Sequence, residues 1–454
     1  MASLAPARDI RVALVHLGCA RNLIDSETIL GRLGAEGYVL CSRVEDADVA
    51  VVNTCSFIGP ARDESEAAIA GLVAARRRGE LRGVLVVGCL PEKFREEVEE
   101  RFPEVDAFLG LSDYSNIARV VEEVLKGRRI RAGTGGRRPA GQAEGPRLLQ
   151  TPRSYAYLRP SHGCDHNCAF CIIPAIRGRQ RSKSLEILAA EAGELVAQGV
   201  REIVLVAEDT TGYGTDLGPE GPRLPEAVER LAAVPGLAWL RVMYAYPNAF
   251  PWRLTEVMRR CPAVVPYLDI PIQHIATPVL KRMRRGGTRR SVEAILERLR
   301  EEVPGIALRT TVLVGHPGEG EREFQELLDF LQAFRFERLG AFAFSPEAGT
   351  PAGEDPDRPP AEEAQRRLEA VMALQAGIHA AGQEALLGRE DVVLVDGHQG
   401  PEAVGRTVRD APEVDGQVWI PDPGRRLEAG SLVRVRFRSV RQGYDLEAER
   451  LAEA

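Results

Sequence analysis

Three short apolar runs, each closing on a cysteine, punctuate the start of the chain: "VALVHLGC", "VAVVNTC" and "VLVVGC", ending at Cys19, Cys55 and Cys89. The runs are continuous rather than alternating, and helix-like stretches such as "DSETILGRLGAEG" separate them. That pattern predicts parallel strands buried on both faces within βα units. Each cysteine then falls at the carboxyl end of its strand, the edge of an open α/β sheet where ligands gather.

After "VVEEVLKG" the pattern dissolves into "GRRIRAGTGGRRPAGQAEGPRLLQTPRS", a Gly-, Pro- and Arg-rich stretch without periodicity that reads as a linker. A second series of strand-like runs follows: "YAYLR", "IVLVA", "WLRVMYA", "YLDIPI", "LRTTVLVG" and "LGAFAF". Helical stretches such as "EREFQELLDFLQAF" lie between several of them. Six such units are too few to close an eight-stranded barrel and enough for an open, partial (β/α)6 one. A polar, Ala-rich helix then leads to a tail with "DVVLVDG", "VWI" and the alternating "VRVRFRSV", which predicts a small antiparallel β-barrel. The expected organisation is an α/β multidomain chain. An open α/β domain spans 1–126, a linker 127–153, a partial barrel with its helix 154–384, and a β-barrel 385–454.

Composition narrows the class. The chain has 454 residues, 44% of them apolar, enough for more than one core. No run is long enough to cross a membrane, and "MASLAPARDI" lacks the apolar core of a signal peptide, so the expected compartment is the cytoplasm. There, 8 cysteines point to metal or redox chemistry rather than disulfides. A formal net charge of -7 argues against broad electrostatic binding to a nucleic-acid backbone.

The first barrel strand leads into "SHGCDHNCAFC", with Cys164, Cys168 and Cys171 separated by three and two residues. Thiolates suit zinc or an iron-sulfur cluster, and a closed structural zinc site wants four ligands. Three thiolates leave one position of a cubane cluster open, unless zinc borrows His162 or His166. Phe170 adds an apolar wall. Cys41 and Cys261 lack a strand-end or loop context and read as structural.

This loop resembles the signature of the radical S-adenosylmethionine (SAM) enzymes, in which three such cysteines carry a [4Fe-4S] cluster whose open iron is chelated by SAM. The resemblance implies reductive cleavage of SAM to methionine and a 5'-deoxyadenosyl radical. The segment "VLVGHPGEGEREF" resembles the family's Gly-x-Pro-Gly-Glu element, which implies that Gly315, Pro317 and Gly318 shape the backbone beside the nucleoside. "VLVAEDTTGYG" puts Glu208 and Asp209 at a strand end, where a carboxylate suits the SAM ammonium; a helix cap or solvated acid is the blander reading.

The pieces "HLGCARNLIDSE", "NTCSFI" and "VVGCLPEK", the radical SAM core and a small TRAM-like tail together resemble the methylthiotransferase family over nearly the whole chain. The resemblance implies a second [4Fe-4S] cluster on Cys19, Cys55 and Cys89, two uses of SAM, and replacement of C–H by C–S–CH3. It also implies partners: an electron donor such as a flavodoxin or ferredoxin, a sulfur donor, and the substrate, with a monomer expected. Some members modify a transfer-RNA adenosine, others the β-carbon of an aspartate in small-subunit ribosomal protein twelve, free or on the ribosome. "CIIPAIRG", "EDTTGYG" and "PYLDIPIQH" resemble the ribosomal-protein branch and suggest His274 near substrate, although a scaffold histidine is the commoner fate. Two departures, His162 and "CARN", bear on substrate positioning rather than on the chemistry. The tail from 385 to 454 carries ten Arg against thirteen Asp and Glu, a net of -3 that suits a basic protein partner better than RNA. Against this, "VRVRFRSVR" and "KRMRRGGTRR" offer local basic stripes, the second also readable as a solvated helix end. A non-catalytic iron-sulfur electron carrier is the remaining alternative.

Overall fold

The computed structural model describes residues 9–131 and 144–451. Part of the predicted linker, 132–143, and both extreme ends lie outside the described residues. The chain forms two compact units. One comprises the residues up to Gln150 with the pieces His162–Asp165 and Ile172–Arg181; the other comprises Thr151–Ser161, His166–Cys171 and everything from Ser182 onward.

The first unit is built on a parallel sheet of six strands: β1 (Arg11–His16), β2 (Val39–Cys41), β3 (Val49–Thr54), β4 (Gly83–Gly88), β5 (Ala107–Leu109) and β6 (Ile130–Arg131), in the order β2-β1-β3-β4-β5-β6. Alternate residues face opposite sides, and because both sides are covered, the strands are apolar throughout. Val12, Val49, Val51, Leu85 and Val87 pack under α1 (Ala20–Ala35) and α5 (Ile117–Leu125). Ala13, Ala50, Val52, Val84 and Val86 pack under α2 (Gly59–Arg77), α3 (Cys89–Lys93) and α4 (Arg95–Arg101). Strand order reverses between β1 and β3, and such a switch point opens a crevice at the carboxyl edge.

In the second unit the six anticipated runs form one parallel sheet. Its strands are β7 (Tyr155–Leu158), β10 (Glu202–Leu205), β11 (Trp239–Val242), β12 (Val264–Asp269), β13 (Ala307–Val314) and β14 (Arg338–Ala343), paired in sequence order. The numbers β8 (Ser161–His162) and β9 (Arg181–Ser182) belong to a two-stranded ribbon. The tail closes as a five-stranded barrel, β15 (Glu390–Gln399), β16 (Glu402–Arg406), β17 (Val418–Pro421), β18 (Leu432–Arg441) and β19 (Asp445–Arg450). All its pairs are antiparallel except β17 with β19, so the expected barrel closes through one parallel seam.

The tail also plugs the entry end of the partial barrel. Glu202, at the start of β10, is fully buried between two guanidinium groups, Arg241 Nε at 2.7 Å and Arg406 Nη1 of the tail at 2.7 Å. The loop after β16 supplies further partners. Glu413 takes the hydroxyls of Tyr155 and Tyr157 at 2.8 and 2.9 Å, Asp415 that of Tyr267 at 2.6 Å, and Asp410 accepts from Arg338 Nε at 3.1 Å. Glu413 holds φ at +68°, a conformation a non-glycine residue adopts only when its surroundings demand it. Both tyrosines are its demand. From the other side, the helix Ala361–Glu384 donates from Gln383 Nε2 to Tyr444 O in the tail at 2.6 Å and from Gln375 Nε2 to Phe336 O beside the barrel at 3.0 Å.

Arg241 and Arg406 outweigh burial and hold the Glu202 carboxyl below its ordinary value. Its contribution to stability is therefore present above the ordinary carboxylate range and lost as pH falls through the folded value. Glu202→Gln leaves the buried Arg241 without its carboxylate, while Arg406 keeps Asp396 at 2.7 Å, so calorimetric unfolding should lose about 3–5 kcal/mol at neutral pH. An unchanged melting curve would contradict this account of the barrel floor.

Candidate functional site

In the first unit, Cys19 is the N-cap of α1, Cys55 follows β3, and Cys89 opens α3 directly after β4. Cys19 and Cys55 thus flank the switch-point crevice. Gly18, at φ +97°, lies so close to Cys55 that a Cβ there would meet the Cys55 Cβ at 2.9 Å. Gly88, at φ +104°, similarly leaves no room for a side chain against Asn53 and the Thr54 backbone. These glycines let three strand ends approach one another.

A polar ring absent from the sequence reading holds those ends in place. Asn22 Nδ2 donates to Leu17 O at 2.6 Å and to Thr54 O at 3.3 Å. Asn53 Nδ2 donates to Asn22 O and to Ser26 Oγ. Thr54 Oγ1 donates to Val87 O and accepts from Leu90 N, while Ser65 Oγ brackets Cys55 from both its N–H and its carbonyl. Asn22 and Asn53 stand inside the quoted "CARNLIDSE" and "NTCSFI", so their closeness to the cysteines was the available signal.

Electrostatics divides the trio. Burial pushes Cys89 up to about 12 and Cys55 upward; Cys19 raises Cys55 further, and Cys55 and Cys19 both raise Cys89. Burial also raises Cys19, but Arg21, Arg177 and the Asn22 backbone N–H outweigh it and hold that thiol below its ordinary value. Arg177, buried on the short helix α6 (Ile173–Arg177), stands 3.6 Å from Cys89 Sγ and pairs with Asp25 at 3.2 Å. Buried thiols that repel one another unless a cation stands beside them suit a shared metal centre, which keeps thiolates deprotonated.

The loop's cysteines are distributed between the units. Cys164 belongs to the first, where its N–H donates to Gly178 O at 3.1 Å and the neighbouring Asp165 accepts from Arg179 and Gln180. His162 faces Glu144 at 3.3 Å. Cys168 and Cys171 belong to the second. There the backbone between them is pinned by Ala169 N to Met283 O and by Ala352 N to Ala169 O. Phe170 packs with Ala276, Val279 and Met283 and meets the His316 ring edge-on at 6.1 Å.

Arg285 was missed by the sequence reading. The "KRMRRGGTRR" run does form surface ion pairs at Arg282 with Asp355 and at Arg289 with Glu293 and Glu326. Arg285, however, is only 7% exposed, so the solvated reading fails there. Its Nη1 lies 3.7 Å from Cys168 Sγ, its Nη2 donates to Pro271 O at 2.5 Å, and its guanidinium stacks 4.2 Å over Tyr246. Nothing in the run distinguishes it from its neighbours, because only the fold selects which arginine turns inward.

The other anticipated residues separate by what they touch. Asp209 accepts from Thr211 and pairs with His166 at 2.7 Å, whose ring stacks on Tyr246 at 3.7 Å. His166 is thereby engaged by a carboxylate. Glu208 follows β10 at the carboxyl edge with its carboxylate oxygens shielded from solvent. Gly315 lies against Ala364 of the long helix, Gly318 against Arg282, and Pro317 O meets His316 Nδ1 at 2.9 Å. In this turn the Glu319 carboxylate accepts from Gly315 N at 2.8 Å and pairs with Arg367 at 3.0 Å, while burial pushes it up to about 7. His274 is fully buried, its Nδ1 accepting the Ala276 N–H at 3.0 Å, a scaffold contact.

No group of three or more His, Cys, Asp or Glu side chains among the described residues is spaced for a single metal ion. A cubane cluster spreads its thiolates farther apart than one ion does, and the donor set here is thiolate only. Ser56 Oγ, buried without a partner after Cys55, and the equally orphaned Arg285 Nε near Cys168 are donors of the kind that sulfide-rich clusters accept.

Residues 158–331 match the Radical SAM superfamily, 11–110 an uncharacterized protein family (UPF0004), and 387–451 the TRAM domain. The chain is 41% identical over 442 residues to the ribosomal protein uS12 methylthiotransferase RimO of Geobacter sulfurreducens, covering 97% of this chain and 98% of that one. The chain belongs to the RimO family. Its relative in Porphyromonas gingivalis (strain ATCC 33277) is 43% identical over 424 residues, covering 92% and 94%. In fold, this RimO-family chain is similar to the radical S-adenosylmethionine methyltransferase TsrM of Kitasatospora setae, with TM-score 0.55, 17% identity and coverage of 76% and 77%.

Burial lowers His274 to about 3, so the ring is neutral at physiological pH. Between its ordinary value and about 3 the unfolded chain binds a proton that the folded chain refuses, so this group costs stability as pH falls. His274→Gln should therefore lose less stability than the parent between about pH 7 and about pH 5 in paired thermal melts. Parallel acid limbs would show that His274 is protonated in the fold.

Proposed function

We propose that this chain methylthiolates the β-carbon of an aspartate in small-subunit ribosomal protein uS12 by radical SAM chemistry. The observation that carries the reading is the conjunction, in one chain, of a strand-end cysteine trio at a sheet switch point and a Cys-x3-Cys-x2-Cys loop after the first barrel strand. Cys19, Cys55 and Cys89 are the proposed ligands of one [4Fe-4S] cluster, and Cys164, Cys168 and Cys171 of another. When bound, the clusters and SAM supply the electron and the carbon radical that remove hydrogen, and an iron through which sulfur reaches the substrate.

The chain's own part is placement. Three thiolates per cluster leave one iron position for an outside ligand. Phe170, His316 and Phe344 form a file of edge-on rings beside the loop, with centroids 6.1 and 5.3 Å apart. Gly315, Pro317 and Gly318 hold the Gly-x-Pro-Gly-Glu turn at the edge of β13, the position expected beside the nucleoside. Glu208, at the edge of β10, is the proposed holder of the SAM ammonium.

A protein substrate is favoured over transfer RNA by the tail. Its arginine stripe is paired off: Arg434 and Arg436 with Glu390, Arg438 with Glu449, and Arg441 with Glu402. Neutralised arginines give little counterion release on a phosphate backbone. The described residues contain no helix long and apolar enough to span a membrane. With a ribosomal protein as substrate the reaction is cytoplasmic, and it draws on a separate electron donor, such as a flavodoxin or ferredoxin, and a sulfur donor. The chain works as a monomer.

Reconstituted, reduced protein supplied with SAM, a sulfur source and both candidate substrates should yield 5'-deoxyadenosine together with a methylthio group on a uS12 aspartate, read by peptide mass spectrometry. A methylthio group on transfer-RNA adenosine with uS12 unmodified would overturn the substrate assignment. Absence of 5'-deoxyadenosine would leave an electron carrier.

A further inference from the structure

The arginine beside Cys168 is a cation buried without a carboxylate. Arg285 forms no ion pair among the described residues: its Nη2 is spent on the Pro271 carbonyl, its face on Tyr246, and its Nε has no partner. Nη1, 3.7 Å from Cys168 Sγ, is the group left to meet an anion. Burying a guanidinium with one neutral acceptor costs several kcal/mol unless a negative charge comes close. Asp209, an acidic side chain whose charge acts on Tyr246, is already held by His166 and Thr211. The fold keeps Arg285 in place by bonds that do not involve the cysteine: the Tyr246 hydroxyl donates to the Arg285 carbonyl at 3.0 Å, and Asn248 Nδ2 donates to the same oxygen. The Arg285 backbone is thus fixed by groups other than the cysteine.

We infer that Arg285 is a positioning residue that sets the reduction potential of the cluster held by Cys168, making it easier to reduce. This rests on the reading that Cys168 is a cluster ligand. The physical ground is general. Reduction adds one negative charge to the cluster, and a fixed cation with a hydrogen bond to a ligating sulfur stabilises the reduced form more than the oxidised one. Burial strengthens the effect, because little water screens the pair. Arg177 at Cys89 is a different case, since its charge is shared with Asp25.

The test uses the full chain carrying Cys19→Ala, Cys55→Ala and Cys89→Ala, so that only the loop cluster loads, with Arg285 intact or changed to Lys, Gln or Met. Iron and sulfide content establish loading, circular dichroism establishes folding, and anaerobic titration followed by electron paramagnetic resonance gives the midpoint potential. The expected result is a more negative potential in whichever neutral variant loads, with Arg285→Lys staying near the parent. Two results would overturn the inference with the ligand reading intact: a loaded neutral variant at the parent potential, or a Lys variant displaced as far as Gln or Met. A parent that holds no cluster would instead overturn the assignment of Cys168, and the inference with it.

Discussion

A charged floor is the constraint on which the second unit depends. A parallel sheet curled into a partial barrel buries the ends of its strands. Here the entry end carries Glu202, Arg241, Arg309 and Arg338 rather than a plug of aliphatic side chains. Ions in such a place are tolerable only when each finds a counter-charge, and the tail provides them through Arg406, Asp410 and Asp415. The C-terminal barrel is therefore part of the catalytic barrel's own stability, in addition to any part it plays in meeting a substrate.

Closing one end leaves the other for chemistry. Every strand of both parallel sheets points its carboxyl end the same way within its sheet, so loops that follow strands gather at one edge. Both cysteine trios exploit this, one by spacing three cysteines over three strand ends, the other by packing three into one loop. In each, one thiolate has a buried arginine at its side, Arg177 at Cys89 and Arg285 at Cys168. The two differ in their other partners: Arg177 also pairs with Asp25, whereas Arg285 has no ion pair among the described residues.

The sequence disclosed the strands well because parallel strands buried on both faces are uninterrupted apolar runs, and all six barrel runs and the three cysteine-ending runs became strands. It disclosed the cysteines because their spacing is local or their placement repeats. It did not disclose Arg285, one of several arginines in a basic run, or the Asn22–Asn53–Thr54 ring, whose members are separated in the chain and meet only when the strands align. Nor did it disclose the tail's docking. Glu413 and Asp415 look like surface acids until the tyrosines of β7 and β12 are seen to converge on them. Long-range polar pairing leaves no periodicity to read.

The central claim is that the chain holds two clusters on two separate cysteine trios, each with an iron left free for an outside ligand. Iron and sulfide analysis with Mössbauer spectra of anaerobically reconstituted protein tests it most directly, comparing the parent with a variant lacking Cys19, Cys55 and Cys89 and one lacking Cys164, Cys168 and Cys171. The account predicts about eight irons per chain in the parent and about four in each variant, each with one iron site distinct from the rest. Loss of all iron from either variant would contradict it, as would four indistinguishable iron sites.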